Sequence, residues 1–129
     1  MFLNVRLDNA ILPAMAVKGI VPLPNNEIRL DVGRPESIAA LKAATQQDKY
    51  IALFVQKNPA TNEINPDELY KEGLVAKIIY EMGNAPVHKV KLLGVVRCNV
   101  LEFVQTKPFL LASIATVPII NDEVEKELA

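Results

Sequence analysis

The chain has 129 residues, which is the size of one domain built around a single core. Half of the residues are hydrophobic and 22% are charged, so the composition excludes a disordered chain. The 14 basic and 15 acidic residues give a net charge of -1. This balance argues against a dedicated nucleic-acid binder, because such proteins carry excess basic charge to neutralise phosphates.

The sequence also indicates the cellular compartment. The single cysteine, Cys98, cannot form an internal disulfide, which favours a reducing environment. Residues 1–6 include polar side chains where a signal peptide needs an apolar run. The longest uncharged run, 108–121, is too short to cross a bilayer. We therefore expect a cytoplasmic protein with no membrane partner.

The first strand with clear alternation of apolar and polar residues is predicted at 27–32. A helix should follow, because Pro35 suits the first helical position and Glu36 places negative charge in the first turn. Alanines continue the pattern, which predicts a helix over 35–47. The residues expected on its apolar face are Ile38, Leu41 and Thr45.

The middle of the chain predicts a strand, a loop and a hairpin. Residues 50–55 are apolar on both faces, as in a strand that is covered on both sides. Two Asn-Pro pairs indicate a surface loop over 58–67. Alternation at 74–82 and 88–92 predicts two strands, and the Gly-Asn-Ala-Pro segment 83–86 between them is typical of a hairpin connection.

The last part of the chain predicts further strands. The alternation breaks at Gly94, resumes over 96–100, and is followed by an apolar strand at 109–117. Residues 122–125 have the D-x-x-E form of a helix start. These elements predict a mainly β domain with one packed helix (α+β), with about six to seven mostly antiparallel strands over residues 1–119. Residues 120–129 are interpreted as the start of a linker helix.

Residues able to carry catalysis are scarce. The five glycines are isolated, so no loop can cradle a phosphate through consecutive amides. His88 alternates with apolar residues on a predicted strand and is interpreted as structural, and Cys98 as a small core residue. The acidic pairs 67–68 and 123/125 are interpreted as solvated, and the pair 67–68 lacks the His or third carboxylate that a metal site would need. We therefore predict no catalytic residue, metal or cofactor in this segment, although a small hydrolase that uses His88 or Cys98 is kept as an alternative.

A second alternative is an RNA-binding module. Lys89, Lys91 and Arg97 could form a basic stripe on one face of the sheet. No aromatic side chains alternate with them to stack on bases, so an outward polar face is the preferred interpretation.

Apolar residues also occur where loops should be polar. The segment 20–24 and the hairpin near Gly83 combine prolines with apolar side chains, and Met suits contacts with varied ligands. We interpret them as an exposed apolar surface for extended or unfolded polypeptide, with packing against the core as the alternative. The predicted contact residues are Val21, Pro22, Leu23, Pro24, Tyr80, Met82 and Ala85.

In this order, the segments resemble the N-terminal substrate-binding domain of the Lon ATP-dependent proteases. The resemblance runs from about Leu12 to Val100 and departs from the family pattern at Ala16, where a proline is usual, and at Leu93, where an acidic residue is usual. The segments that carry it are LPAMAVK (12–18), IVPLP (20–24), IRLDVGRP (28–35), SIAAL (37–41), DKYIALFVQK (48–57) and DELYKEGLVA (67–76).

The resemblance implies a PUA-like pseudo-barrel that captures unfolded or degron-tagged proteins. It also implies a longer parent chain with a linker, an ATPase module that uses ATP and magnesium, and a serine protease module with a Ser-Lys dyad. None of these modules lies within the 129 residues. The family forms hexamers, so the parent is expected to be a homohexamer and this segment alone a monomer or weak dimer. Whether adaptor proteins also dock here is left open.

Overall fold

The computed structural model describes residues 9–19, 23–60, 65–82 and 87–117. Six strands, one α-helix and one 3-10 turn make up these residues. Their bounds are β1 (Ile11–Val17), β2 (Glu27–Val32), α1 (Pro35–Thr45), β3 (Tyr50–Gln56), a 3-10 turn (Pro66–Glu68), β4 (Leu69–Met82), β5 (His88–Gln105) and β6 (Leu110–Thr116). The predicted linker at 120–129 and the hairpin turn at 83–86 lie outside the described residues.

The strands form one sheet in the order β2-β5-β4-β3-β1-β6, and β6 also pairs with β5. The second pairing of β6 closes five of the strands into a ring. β1 and β3 pair in parallel, and the other pairings are antiparallel. The predicted pseudo-barrel of mostly antiparallel strands with one helix is therefore confirmed.

β5 belongs to two parts of the molecule. Residues 88–93 pair with β2, while residues 98–105 pair with β6. β4 runs beside β5 from Glu72 to Met82 and so follows it through both parts. We call the three-stranded extension of the barrel, made of β2, residues 77–82 and residues 88–93, the wing.

Two apolar clusters hold these layers together. The first fills the barrel and contains small residues such as Ala16 and Ala52 around Phe54, whose ring meets Phe103 edge to face at 5.6 Å between centroids. The second lies under α1 and joins Leu41 of the helix to Leu53 of β3 and Leu92 of the wing. β3 contributes to both clusters, which confirms the expectation that it is covered on both sides.

The helix starts at Pro35 as predicted but ends at Thr45, two residues early, because Lys49 adopts a positive φ of 70° and its N–H donates to the Ala44 carbonyl. The predicted apolar face is wrong for Thr45. Ile38 is half-buried and packs with Leu41 in the cluster under α1, whereas Thr45 is exposed and donates its hydroxyl to the Leu41 carbonyl. The buried residues are Ser37, Ala40, Leu41 and Ala44, whose mostly small side chains let the helix approach β1 and β3 closely.

The break in alternation predicted at Gly94 does not interrupt the strand, because β5 continues from His88 to Gln105. Val75 is registered with Val96 and Ala76 with Gly94, so the alternation shifts at Val95. The irregularities lie in its pairing with β4, where the register shifts at Val75/Ala76 and again at Ile78/Tyr80. β-Bulges change which face a side chain occupies without ending the strand. Within the described ranges, no helix is long and apolar enough to span a membrane.

Candidate functional site

The outer face of the wing is set by the register shift in β4. Ile78 lies opposite Leu92, and both side chains are buried in the cluster under α1. The next registered pair is Tyr80 with Lys91, the residue before Leu92, so one residue of β4 is skipped. Since side chains alternate along a strand, Tyr80 and Lys91 lie on the face opposite to Ile78 and Leu92. The sequence pattern had placed Ile78, Tyr80 and Met82 on one face, and the bulge separates the first from the other two.

This bulge exposes apolar side chains on the outer face of the wing. Tyr80 is 45% and Met82 57% exposed. They line a groove of about 420 Å³ together with Arg29, Asp31 and Lys89. The groove therefore has apolar side chains on β4 and charged side chains on β2 and β5.

Ion pairs cross this face between β5 and β2. Lys91 Nζ lies 2.6 Å from a carboxylate oxygen of Glu27, and Lys89 Nζ lies 3.2 Å from one of Asp31. The Lys91 ammonium also lies 5.6 Å from the ring centroid of Tyr80, within the range of a cation–π contact. Both lysines of the suggested basic stripe are thus paired with carboxylates, and one of them helps to fix the ring of Tyr80.

The third residue of that stripe lies elsewhere. Arg97 is registered opposite Leu74, whose side chain packs in the cluster under α1. Arg97 therefore shares the face of Leu74, whereas Lys91 points to the opposite face of the sheet. The structure does not bring the three basic residues together.

The other predicted contact segment lies at the far end of the wing. The Asn25 N–H donates to the Gly94 carbonyl and the Gly94 N–H donates to the Asn26 carbonyl, each at 2.9 Å. Leu23 is 39% exposed and Pro24 is half-buried. Since Met82 is registered with Lys89, five residues before Gly94, the two segments are about 17 Å apart at roughly 3.3 Å per strand residue.

Val21, Pro22 and Ala85 of the predicted contact set lie outside the described residues. The described members, Leu23, Pro24, Tyr80 and Met82, occupy the two ends of the wing. The Leu23 carbonyl lies where a Cβ atom on Gly94 would point, on the face that Gly94 shares with Leu92, whereas Tyr80 and Met82 lie on the opposite face. The structure therefore does not place the two predicted segments on one surface. Leu93 is 39% exposed.

The two residues considered for hydrolysis are placed differently. His88 Nδ1 is hydrogen-bonded to Glu81 Oε2 at the end of the wing, where both side chains are largely buried. Cys98 is buried inside the barrel, and desolvation raises the pKa of its thiol to about 12 against a smaller lowering by the Gly73 backbone. A thiol with this pKa stays protonated and unreactive near neutral pH. Within the described ranges, no three His, Cys, Asp or Glu residues are grouped so as to hold a metal ion.

Comparisons with known proteins agree with this fold. Residues 11–129 match the family model of the ATP-dependent protease La (LON) substrate-binding domain. The chain is 37% identical over 112 residues to a Lon protease of Nitrosococcus oceani, and 32% identical over 127 residues to one of Bacillus thuringiensis. These matches cover 86% and 97% of this chain but 14% and 16% of the relatives.

Two solved structures share the fold. The N-terminal domain of the Mycobacterium avium complex Lon protease matches with a TM-score of 0.68 at 17% identity, covering 91% of this chain and 61% of that one. A Lon N-terminal domain protein from Xanthomonas campestris matches with a TM-score of 0.64 at 17% identity, covering 84% of this chain and 60% of that one. The barrel, the helix and the wing therefore define a Lon-type N-terminal domain.

The chain belongs to the Lon substrate-binding domain family. It spans about one seventh of the length of the Lon protease from Nitrosococcus oceani.

Proposed function

We propose that the outer face of the wing captures unfolded or degron-tagged polypeptides for an ATP-dependent serine protease of which this domain is the N-terminal module. The observation that carries the proposal is the bulge in β4, which turns Tyr80 and Met82 outward beside a groove. Large apolar side chains on a sheet face are normally turned inward, and contiguous exposed ones mark interaction sites. The family membership supports polypeptide as the ligand.

The chemistry of the groove suits many sequences. Met82 is flexible and polarizable, so it can pack against side chains of different shapes. Tyr80 presents a flat ring whose position is fixed by Lys91. The ion pairs on β2 and β5 leave amphipathic lysine stems along the same face, and such stems also cover apolar surface.

The expected affinity is low. An exposed apolar area of roughly 300 to 600 Å² corresponds to about 7 to 15 kcal/mol of gross stabilisation at about 25 cal/mol per Å². Association and ordering cost roughly 4 to 15 kcal/mol, so one domain should bind in the micromolar range or weaker. Several copies on a ring would recover affinity through effective concentration, while each single contact could still release a moving chain.

The parent protein implied by this function contains further modules. A homohexamer of such chains would use ATP and magnesium in an ATPase module and a Ser-Lys dyad in a protease module, both outside these residues. The wing would then hold a chain before it is unfolded and cleaved, with adaptor proteins as a further class of ligand.

The test replaces the exposed apolar pair on the wing. Met82→Lys combined with Tyr80→Ser should weaken binding of a fluorescently labelled, permanently unfolded model protein by about tenfold or more, measured by anisotropy. The matched control is Leu101→Lys, because Leu101 is 58% exposed against 57% for Met82 but lies on β5 beyond the wing. The control should bind like the unsubstituted 129-residue chain.

Thermal unfolding is measured on all three proteins, since surface substitutions should shift the midpoint by only a few degrees. Equal weakening by both variants would mean that any exposed apolar side chain contributes. Unchanged binding by the wing variant would remove the groove as the capture site.

A further inference from the structure

A second concave site lies at the start of the helix. A cleft of about 300 Å³ separates the end of β1 from the end of β2, and Arg34 and Ser37 at the first turn of α1 complete its lining. Its volume is at the lower end of the range for ligand pockets. The cleft shares Leu30 and Asp31 with the wing groove but includes neither Tyr80 nor Met82.

Two strand edges that have no partner among the described strands border this cleft. β1 pairs with β6 only as far as Ala14, so its last residues have β3 on one side and, among the described strands, no partner on the other. β2 pairs with β5 alone among the described strands. Free edges of this kind offer backbone N–H and C=O groups to an added extended chain.

Two polar side chains, Arg34 and Ser37, lie at the α1 end of the cleft. Ser37 is 4% exposed and lines the cleft. Arg34 is the residue before the helix, and its side chain makes no capping hydrogen bond to the first turn. Its Nη2 donates to Gln56 Oε1 at 2.6 Å, whereas its Nη1 is buried without a partner in the part of the chain that the structure describes.

The electrostatics at this point favour an anion. The partner of Arg34 is the neutral amide of Gln56, so no described carboxylate neutralises the guanidinium. The nearby acidic groups are already engaged: Asp31 is paired with Lys89, and Glu36 lies 3.6 Å from Lys107. The first turn of α1 adds uncapped backbone N–H groups and the positive end of the helix dipole.

We propose that this cleft binds the C-terminal carboxylate of a polypeptide. The last residues of the bound chain would lie in extended form between the edges of β1 and β2, over an apolar floor that includes Met15 and Val32. Its terminal carboxylate would accept hydrogen bonds from Ser37 Oγ and from the first-turn amides, with a small rotation of the Arg34 guanidinium bringing Nη1 to the second oxygen. The assignment rests on polypeptide being the ligand of this domain, as proposed above.

A chain end fits the cleft better than an internal acidic side chain. α1 borders the cleft where Arg34 and Ser37 lie, so a chain that follows the strands toward these donors meets the helix there. The free carboxylate of a C-terminus also continues the backbone directly and needs no side-chain stem to reach Ser37, which is almost fully buried.

The experiment uses the 129-residue chain and a pair of labelled hexapeptides of one apolar sequence. One peptide ends in a free carboxylate and the other in an amide. The free acid should bind about tenfold more tightly than the amide, and Ser37→Ala should reduce this ratio to about threefold or less. The matched control is Thr45→Ala, which removes a hydroxyl from the other end of the same helix, where it bonds only to the Leu41 carbonyl. The control should keep the full preference for the acid.

A second measurement does not depend on any variant. Titrating the unsubstituted 129-residue chain with acetate alone should shift the backbone amide NMR signals of Glu36 and Ser37 and leave that of Thr45 unchanged. Equal affinity for the acid and amide peptides would overturn the proposal. If an amidated peptide with an internal Glu binds as tightly as the free-acid peptide, the assignment to a chain end is overturned. If inorganic phosphate at equal concentration displaces the free-acid peptide, the cleft is a general anion site and not a site for a chain end.

The two proposals fail separately. Met82→Lys removes a wing contact and should leave the preference for the free acid intact. If Met82→Lys no longer binds the unfolded protein and no protein prefers the free-acid peptide, the proposal for the cleft is rejected and the proposal for the wing is retained. If the acid preference is present while Met82→Lys still captures the unfolded protein, the wing is rejected and the cleft is retained.

Discussion

A Cβ atom placed on Gly94 would lie 2.3 Å from the carbonyl oxygen of Leu23. The turn that leads into β2 therefore rests directly on the backbone of β5, where two hydrogen bonds hold it. Asn25, in the middle of this turn, has a positive φ of 67°, a conformation that asparagine tolerates better than most residues. The contact fixes one end of the wing on the barrel.

Gly94→Ala should lift this turn from β5. The added methyl would meet backbone rather than a flexible side chain, so we expect a loss of about 1 to 3 kcal/mol in the free energy of unfolding, measured by urea denaturation. The neighbouring Leu93→Ala, at an exposed position, is the control and should change stability by about 0.5 kcal/mol or less. Similar stability of both variants would mean that the turn adapts without cost.

Cys98 should make the protein less stable in alkali. The pKa of this thiol is raised from 9.0 to about 12 in the folded chain, because burial disfavours the thiolate. Below pH 9 the thiol is protonated in both states and the shift has no effect on stability. Between these two pKa values the unfolded chain releases the proton and the folded chain keeps it, so stability falls as pH rises, by up to about 1.4 kcal/mol per pH unit from this group.

Urea unfolding of the unsubstituted chain and of Cys98→Ala is compared from about pH 8 to about pH 10.5, a range that includes the pKa of the thiol in the unfolded chain. Other groups titrate in both proteins, so the difference in slope isolates the thiol. The unsubstituted chain should lose stability more steeply with rising pH than Cys98→Ala. Parallel slopes would contradict the raised pKa.

The helix should depend on its narrow buried face. Leu41 is fully buried between α1 and the sheet, so Leu41→Ala should cost about 2 to 5 kcal/mol in the free energy of unfolding. The adjacent Lys42 is exposed, and Lys42→Ala should change stability by about 0.5 kcal/mol or less. Chemical denaturation followed by circular dichroism gives both values, and a small effect of Leu41→Ala would show that the helix is dispensable for the core.

Local patterns were enough to predict most of the elements. Alternation identified β2 and β4, two-sided apolarity identified β3 and β6, and Pro35 identified the start of α1. Pairings between distant segments could not be read in this way. The parallel contact of β1 with β3 and the closure by β6 depend on tertiary geometry, and neither leaves a local periodic signal.

The candidate sites were predictable only in part. Tyr80 and Met82 were predicted to be contact residues, and the structure exposes both, yet the strand pattern alone gave them the face of Ile78. The adjacent apolar pair Ile78-Ile79 interrupts strict alternation and was the available signal for the bulge. Ser37 falls inside the predicted helix, and nothing in the sequence shows that β1 and β2 leave an opening beside it.

The length of β5 has a mechanical consequence. A single run of backbone from His88 to Gln105 joins the wing to the barrel, with β4 alongside for most of its course. If the wing binds a polypeptide as proposed, a pulling force along these strands would load the hydrogen bonds between β4 and β5 in shear. Many hydrogen bonds would then share the force, and the domain would resist unfolding while the bound chain is pulled.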